Sequence, residues 1–135
     1  FDQGIGDIFS ARVAGNIINQ DILGSIEYGC KVAGSKLVIV MGHTKCGAVT
    51  AACKRVELGN ITPLLSKILP AVDEVIGANG EVTDSNIEKV SVVNINNAIS
   101  RMRGESAILN EMEKEGSIQI VGAVYDVASG KVNFL

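Results

Sequence analysis

Residues Lys36–Gly47 read KLVIVMGHTKCG, and the fold turns on this stretch. After its lysine, Lys36–Met41 is a continuous apolar run rich in β-branched side chains, with no polar alternation. A strand with one wet face alternates, whereas an unbroken run is expected of a parallel strand buried on both faces. Gly42–Gly47 (GHTKCG) then reads as a loop at that strand's C-terminal end. Ligands of α/β sheets bind beyond the carboxyl ends of the strands, so function is to be sought in this loop.

Working outward, Asp7–Val13 reads as a short strand ended by Gly15-Asn16. Asp21 is placed to cap a helix over Ile22–Ala33, with Gly34 as its C-terminal stop. A helix is expected over Ala48–Val56. Thr62-Pro63 starts another, with Pro in the first turn, running to Ile76. Gly77–Val82 is a loop. Thr83 or Asp84 caps a long helix to Arg103 that carries Ile95, Ile99 and Met102 on one face. Gly104 is expected to break it, and Glu105–Lys114 to form a further helical piece. Ile118–Val124 is a second buried strand, and Ala128-Ser129-Gly130 turns the chain into a last strand, Lys131–Leu135. Strands alternating with helices give an α/β fold, a mostly parallel sheet flanked by helices. Leu37, Ile39, Ile120 and Val121 are expected among the most buried residues. Neither repeat, linker nor low-complexity tract divides residues 1–135, which are read as one domain.

Composition narrows the function. The chain has 135 residues, 47% hydrophobic and 20% charged, an ordinary globular balance. Aromatics are only 4%, so the core must be aliphatic. The net charge is −3 and the basic residues are scattered, unlike the clustered face of a nucleic-acid binder. No apolar run approaches the roughly 20 residues needed to cross a bilayer. Phe1–Ser10 holds no basic residue and is not a signal peptide. The chain opens on Phe rather than Met and is read as processed, trimmed or partial. Three cysteines without a secretory signal argue for a reducing compartment, taken as the cytoplasm.

His43 is the sole histidine, which excludes a three-histidine metal site within these residues. His43 and Cys46 can present an imidazole and a thiolate to one ion, a mixture that suits zinc. Gly42 and Gly47 are expected to let the backbone bend and to leave room beside the metal. Cys46 stands at the start of the next helix, where the dipole favours a thiolate. His-x-x-Cys is also common by chance, and cysteine is often simply a small buried residue. Cys53 lies two helical turns beyond Cys46, about 10 Å along the axis, too far for one ion. Cys30 reads as a packed core thiol, though it and a carboxylate such as Asp7 are the fallback ligands. Catalytic zinc usually has three protein ligands, so two donors describe an incomplete site.

Phe1–Asn16 (FDQGIGDIFSARVAGN), Gly24–Tyr28 (GSIEY), Lys36–Gly47 and Val121–Leu135 (VGAVYDVASGKVNFL) resemble successive blocks of the β-class carbonic anhydrases, in order and at matching spacing. The resemblance spans nearly the whole chain. It implies zinc-dependent, reversible hydration of carbon dioxide to bicarbonate, with zinc lowering the pKa of a water so that hydroxide is available. It implies that His43 and Cys46 are the second and third protein ligands. The first, a Cys in a Cys-x-Asp-x-Arg motif, is expected upstream of Phe1, together with the Asp/Arg dyad that governs the fourth zinc position. None of these three residues is in the chain, so no catalytic residue is assigned. The motif ends a central strand of the sheet, preceded by helices that embrace a partner subunit, and the chain has neither.

The resemblance further implies that Arg12 and Asn16 border the active site, that the protein is a homodimer or higher oligomer, and that Lys131–Leu135 is an interface edge. Lys45 is read as solvated and Glu27–Lys31 as a structural i,i+4 pair. Two other functions stay open: a catalytically silent oligomerisation or binding domain, for which the missing ligand speaks, and hydrolysis of carbon disulfide or carbonyl sulfide at the same kind of zinc site. The chain by itself is expected to be inactive.

Overall fold

A computed structural model describes residues 1–135. It is an α/β fold: six helices and a short 3-10 turn, Ala14–Asn16, accompany a three-stranded sheet. Strand β1 (Leu37–His43) runs parallel to β2 (Gln119–Tyr125), and β3 (Val132–Phe134) returns antiparallel on the other side of β2. The sheet is therefore small and mixed. The register pairs Leu37 with Gln119 and His43 with Tyr125, so β1 and β2 end together.

One face of the sheet is covered. Val38, Val40 and Gly42 share it with Ile120, Gly122 and Val124, since alternate residues of a strand point the same way. Against it lies α5 (Asp84–Glu105), whose Ile95, Ala98, Ile99 and Met102 are buried. Thr83 caps α5 by accepting from the Asn86 N–H at 3.2 Å. Helices α1 (Gln20–Lys31) and α6 (Ala107–Lys114) complete this core with Leu23, Cys30 and Leu109. A second cluster gathers α2 (Gly47–Cys53), α3 (Ile61–Leu65) and α4 (Leu69–Val75) around Val49, Ile68 and Val72, with Val90 from the first half of α5.

The opposite face of the sheet is only partly covered: Ala123 is buried, but the strand ends are exposed. Leu37 is 48% exposed, Ile39 and Val121 are only half-buried, and Ile120 alone of the four expected core positions is buried. The run KLVIVM reads as doubly covered, yet β1 pairs only with β2 and leaves its outer hydrogen-bonding edge open.

Asp7–Val13 is not a strand; its residues pair with no neighbour, and all except Val13 are exposed. A strand exists only through its partner, and none lies beside this segment. Smaller differences are local. Asn19 rather than Asp21 caps α1, its Oδ1 accepting from the Ile22 N–H at 2.8 Å. The helix expected from Thr62 to Ile76 is interrupted between Leu65 and Leu69. Gly104 continues α5 to Glu105; the stop falls at Ser106, whose hydroxyl oxygen accepts from the Leu109 N–H and opens α6 instead. Glu27 does not pair with Lys31, because its carboxylate accepts from the Ser106 hydroxyl at 2.6 Å and ties α1 to α6.

Candidate metal centre

His43 is the last residue of β1 and Cys46 the residue that precedes α2, so one three-residue step carries both candidate ligands. The turn between them is made by Lys45, whose φ of 56° is left-handed, and Lys45 itself is exposed. The expected bend at the glycines lies elsewhere. Gly42 is still in β1 and buried, and a Cβ there would come within 2.9 Å of Ile95 Cδ1. Its smallness lets α5 close on the strand. Gly47 is the first residue of α2, and a Cβ there would meet nothing within 4 Å.

The imidazole of His43 is exposed, and its Nδ1 lies 2.9 Å from the Thr44 carbonyl oxygen. A carbonyl only accepts, so the contact assigns a proton to Nδ1, and in the neutral ring the lone pair is then on Nε2. Imidazole ligands are commonly held this way, with the second nitrogen donating to a backbone carbonyl. Cys46 is buried, with its thiol free of any disulfide. In kind, the two donors fit zinc. In number they do not complete it, since no group of three or more His, Cys, Asp or Glu side chains comes together anywhere in the chain. Cys30 and Asp7 do not join them; Cys30 is packed in the first core cluster and Asp7 accepts from the Gly4 N–H in an exposed turn. Burial pushes the Cys30 and Cys53 thiols up, which suits inert core residues.

Asn16 and Arg12 part company. Asn16 sits against the strand end, its Oδ1 3.5 Å from where a Gly42 Cβ would be. Its Nδ2 is buried with no hydrogen-bond partner, the one such side-chain atom in the chain. The Asn94 side chain anchors this turn by donating to the Gly15 carbonyl at 2.8 Å. Arg12 is exposed and makes no ion pair.

Sequence reasoning missed three residues that reach the loop from the far end of the chain. The Thr44 N–H donates to the Tyr125 carbonyl at 2.9 Å. The Thr44 hydroxyl donates to Asp126 Oδ1 at 3.3 Å and accepts from the Val127 N–H at 3.1 Å. Asp126 also accepts from the Ala128 N–H at 2.9 Å and the Ser129 hydroxyl at 2.6 Å. These donors, Ser129 first and then Ala128, hold the Asp126 carboxyl below the usual carboxylate range. Asp126–Gly130 is legible as a turn from its Asp, Ser and Gly, but its grip on a threonine 82 positions earlier is not.

Comparison with known proteins places the chain in a family. The family model described as carbonic anhydrase matches residues 1–132. A carbonic anhydrase of Mycolicibacterium smegmatis is 30% identical over 98% of this chain and 65% of its own length. Carbonic anhydrase 2 of Mycobacterium tuberculosis is 31% identical over 97% of the chain and 64% of its own. This chain thus spans somewhat under two-thirds of the length of these relatives. Among solved structures, the β-carbonic anhydrase CafA of Aspergillus fumigatus superposes with a TM-score of 0.88 at 26% identity, over 97% of this chain and 64% of CafA. A tetrameric β-carbonic anhydrase of Sordaria macrospora shares the fold at a TM-score of 0.85 and 18% identity, over 98% of this chain and 70% of its own.

Proposed function

Because this chain belongs to the β-class carbonic anhydrase family, we propose that its protein hydrates carbon dioxide reversibly to bicarbonate, using one zinc ion held by His43 and Cys46. The observation that carries this reading is the His43 ring, whose Nδ1 is engaged by a backbone carbonyl, three residues before the buried thiol of Cys46. Zinc bound there would supply a water of lowered pKa, a source of nucleophile at neutral pH. His43 would hold the ion through Nε2, and Cys46 would supply thiolate charge from the start of α2. The buried, unpartnered Nδ2 of Asn16 is a hydrogen-bond donor at the strand end on the same side as Gly42.

The third ligand is proposed to be a cysteine from outside these 135 residues, carried on a strand along the open edge of β1. Support comes from that edge, from the unpaired Asp7–Val13 segment, and from the 64–65% coverage of the relatives. A homo-oligomer is proposed on the family resemblance, and the cytoplasm on three thiols without a disulfide. No helix is long and apolar enough to cross a membrane. The silent-domain reading draws on the absence of a third donor here.

Metal analysis, stopped-flow hydration and light scattering on the chain alone and extended N-terminally by its natural upstream sequence test this. The chain alone should hold zinc weakly and show negligible hydration, since two donors leave a site mostly filled by water. The extended protein should bind one zinc per subunit, hydrate carbon dioxide, lose both on Cys46→Ala, and exceed the 14.1 kDa monomer in mass. Full occupancy in the chain alone would overturn the outside ligand. An extended protein without zinc would leave the silent domain standing.

A further inference from the structure

The residue between the two candidate ligands is held from the opposite end of the chain. Thr44 uses its N–H, its hydroxyl proton and its hydroxyl lone pair on Tyr125, Asp126 and Val127. The one remaining polar group of Thr44, its carbonyl, accepts from His43 Nδ1. The turn that does the holding is itself closed: the Asp126 N–H donates to the Lys131 carbonyl and the Gly130 N–H to the Asp126 carbonyl, both at 2.8 Å. Asp126 therefore has one oxygen, Oδ1, shared between the turn (Ala128) and Thr44, while Oδ2 takes the Ser129 hydroxyl.

A hairpin turn needs the bonds to Ala128 and Ser129 but not the one to Thr44. His43 is exposed, so packing constrains its ring less than it would in the core. Its direction rests on a single hydrogen bond, and the acceptor of that bond is only as fixed as the Thr44 peptide. Which imidazole nitrogen is protonated is in general set by the hydrogen bond the other makes.

We propose that Asp126 and Thr44 are positioning residues for the metal-ligating histidine: the Asp126 turn fixes the Thr44 carbonyl, which holds His43 in the Nδ1–H tautomer and keeps Nε2 presented. This rests on the reading of His43 as a ligand for its purpose, but the tautomer itself is a property of the metal-free chain. The turn after β2 thereby belongs to the centre although none of its atoms need touch the ion.

Because His43 is the sole histidine, its two ring nitrogens can be read directly by nitrogen-15 NMR of the full metal-free chain, at a pH where the imidazole is neutral. Wild type should show Nδ1 protonated. Thr44→Val, which keeps shape and removes both hydroxyl bonds, and Asp126→Ala should shift the ring toward Nε2–H. Thr44→Ser should restore the wild-type pattern. Amide spectra of each variant report whether the fold is kept, and Thr44→Ser against Thr44→Val decides the matter should Asp126→Ala fail to fold. Zinc competition against a chelator in the N-terminally extended protein should then show affinity about tenfold lower for Thr44→Val, the usual size of an outer-shell loss. A wild-type ring in the Nε2–H form, or a ring indifferent to Thr44→Val, overturns the proposal. A tautomer shift with unchanged zinc affinity overturns its part concerning ligation. Absence of zinc from the wild-type extended protein overturns the ligand reading, and the NMR result still decides whether Asp126 and Thr44 position the ring.

Discussion

Gly42 stands one residue before His43, and the space beside it is taken. A Cβ would lie 2.9 Å from Ile95 Cδ1 and 3.3 Å from Ile95 Cγ1, and Ile95 is fully buried with little room to turn away. Gly42→Ala should therefore cost about 1–3 kcal/mol by overpacking. In urea it should appear as a lower midpoint with an unchanged slope. Gly47→Ala, where a Cβ meets nothing, should be neutral or slightly stabilising, because alanine is the better helix residue. Equal midpoints for the two variants would show that Ile95 repacks freely. The sequence shows two glycines flanking one loop and gives them one role; the difference lies in which of them α5 approaches, a contact 53 residues away that no local pattern encodes.

At the scale of elements, Arg103 near the end of α5 grips Glu113 in α6 through two hydrogen bonds of 2.7 Å. The guanidinium holds the Glu113 carboxyl below its ordinary value, chiefly through those bonds. A depressed carboxylate stabilises the fold fully above its unfolded pKa, about 4.3, and loses that contribution as pH falls through the folded value. Both groups are partly exposed, so the pair contributes at most about 1 kcal/mol. Glu113→Gln should melt below wild type between about pH 6 and 7, with the gap closing as pH falls below the unfolded value of about 4.3. A gap that stays constant with pH would mean that packing, not charge, is responsible.

The elements also show what a single sequence can and cannot reveal. Helix α5 is legible because a cap at Thr83 and apolar residues at helical spacing are local facts. Strands β1 and β2 are legible as apolar runs, and the candidate ligands as the loop that follows the first. Gly104 misleads because a glycine near a helix end costs only about 1 kcal/mol, and the Ser106 cap sets the stop instead. Asp7–Val13 has strand-like composition but no partner, and pairing is a property of two segments. The half-bare face of β1 is unreadable for the same reason: an apolar run records what should cover a strand, not whether the covering element is present.

For the whole molecule, the two buried clusters are decisive. The first joins the sheet to α1, α6 and the second half of α5; the second gathers α2, α3, α4 and Val90. Strand β1, which ends in His43, contributes Val40 to the first, whereas Cys46 is part of the second. The loop of candidate ligands thus crosses a mechanical seam. Two sub-cores joined this way can open separately, each with its own local unfolding free energy. A metal bonded on both sides would rivet them, because its binding energy is lost when either side opens. In native-state hydrogen exchange, amides of β1 and β2 should respond to denaturant differently from those of α2 and α4 in the metal-free, N-terminally extended protein, and zinc should bring the two groups to a common opening energy. Coincident exchange before metal is added would erase the seam. If the seam is there, a zinc ion bound by His43 and Cys46 would also be the fastener that makes the two halves unfold as one.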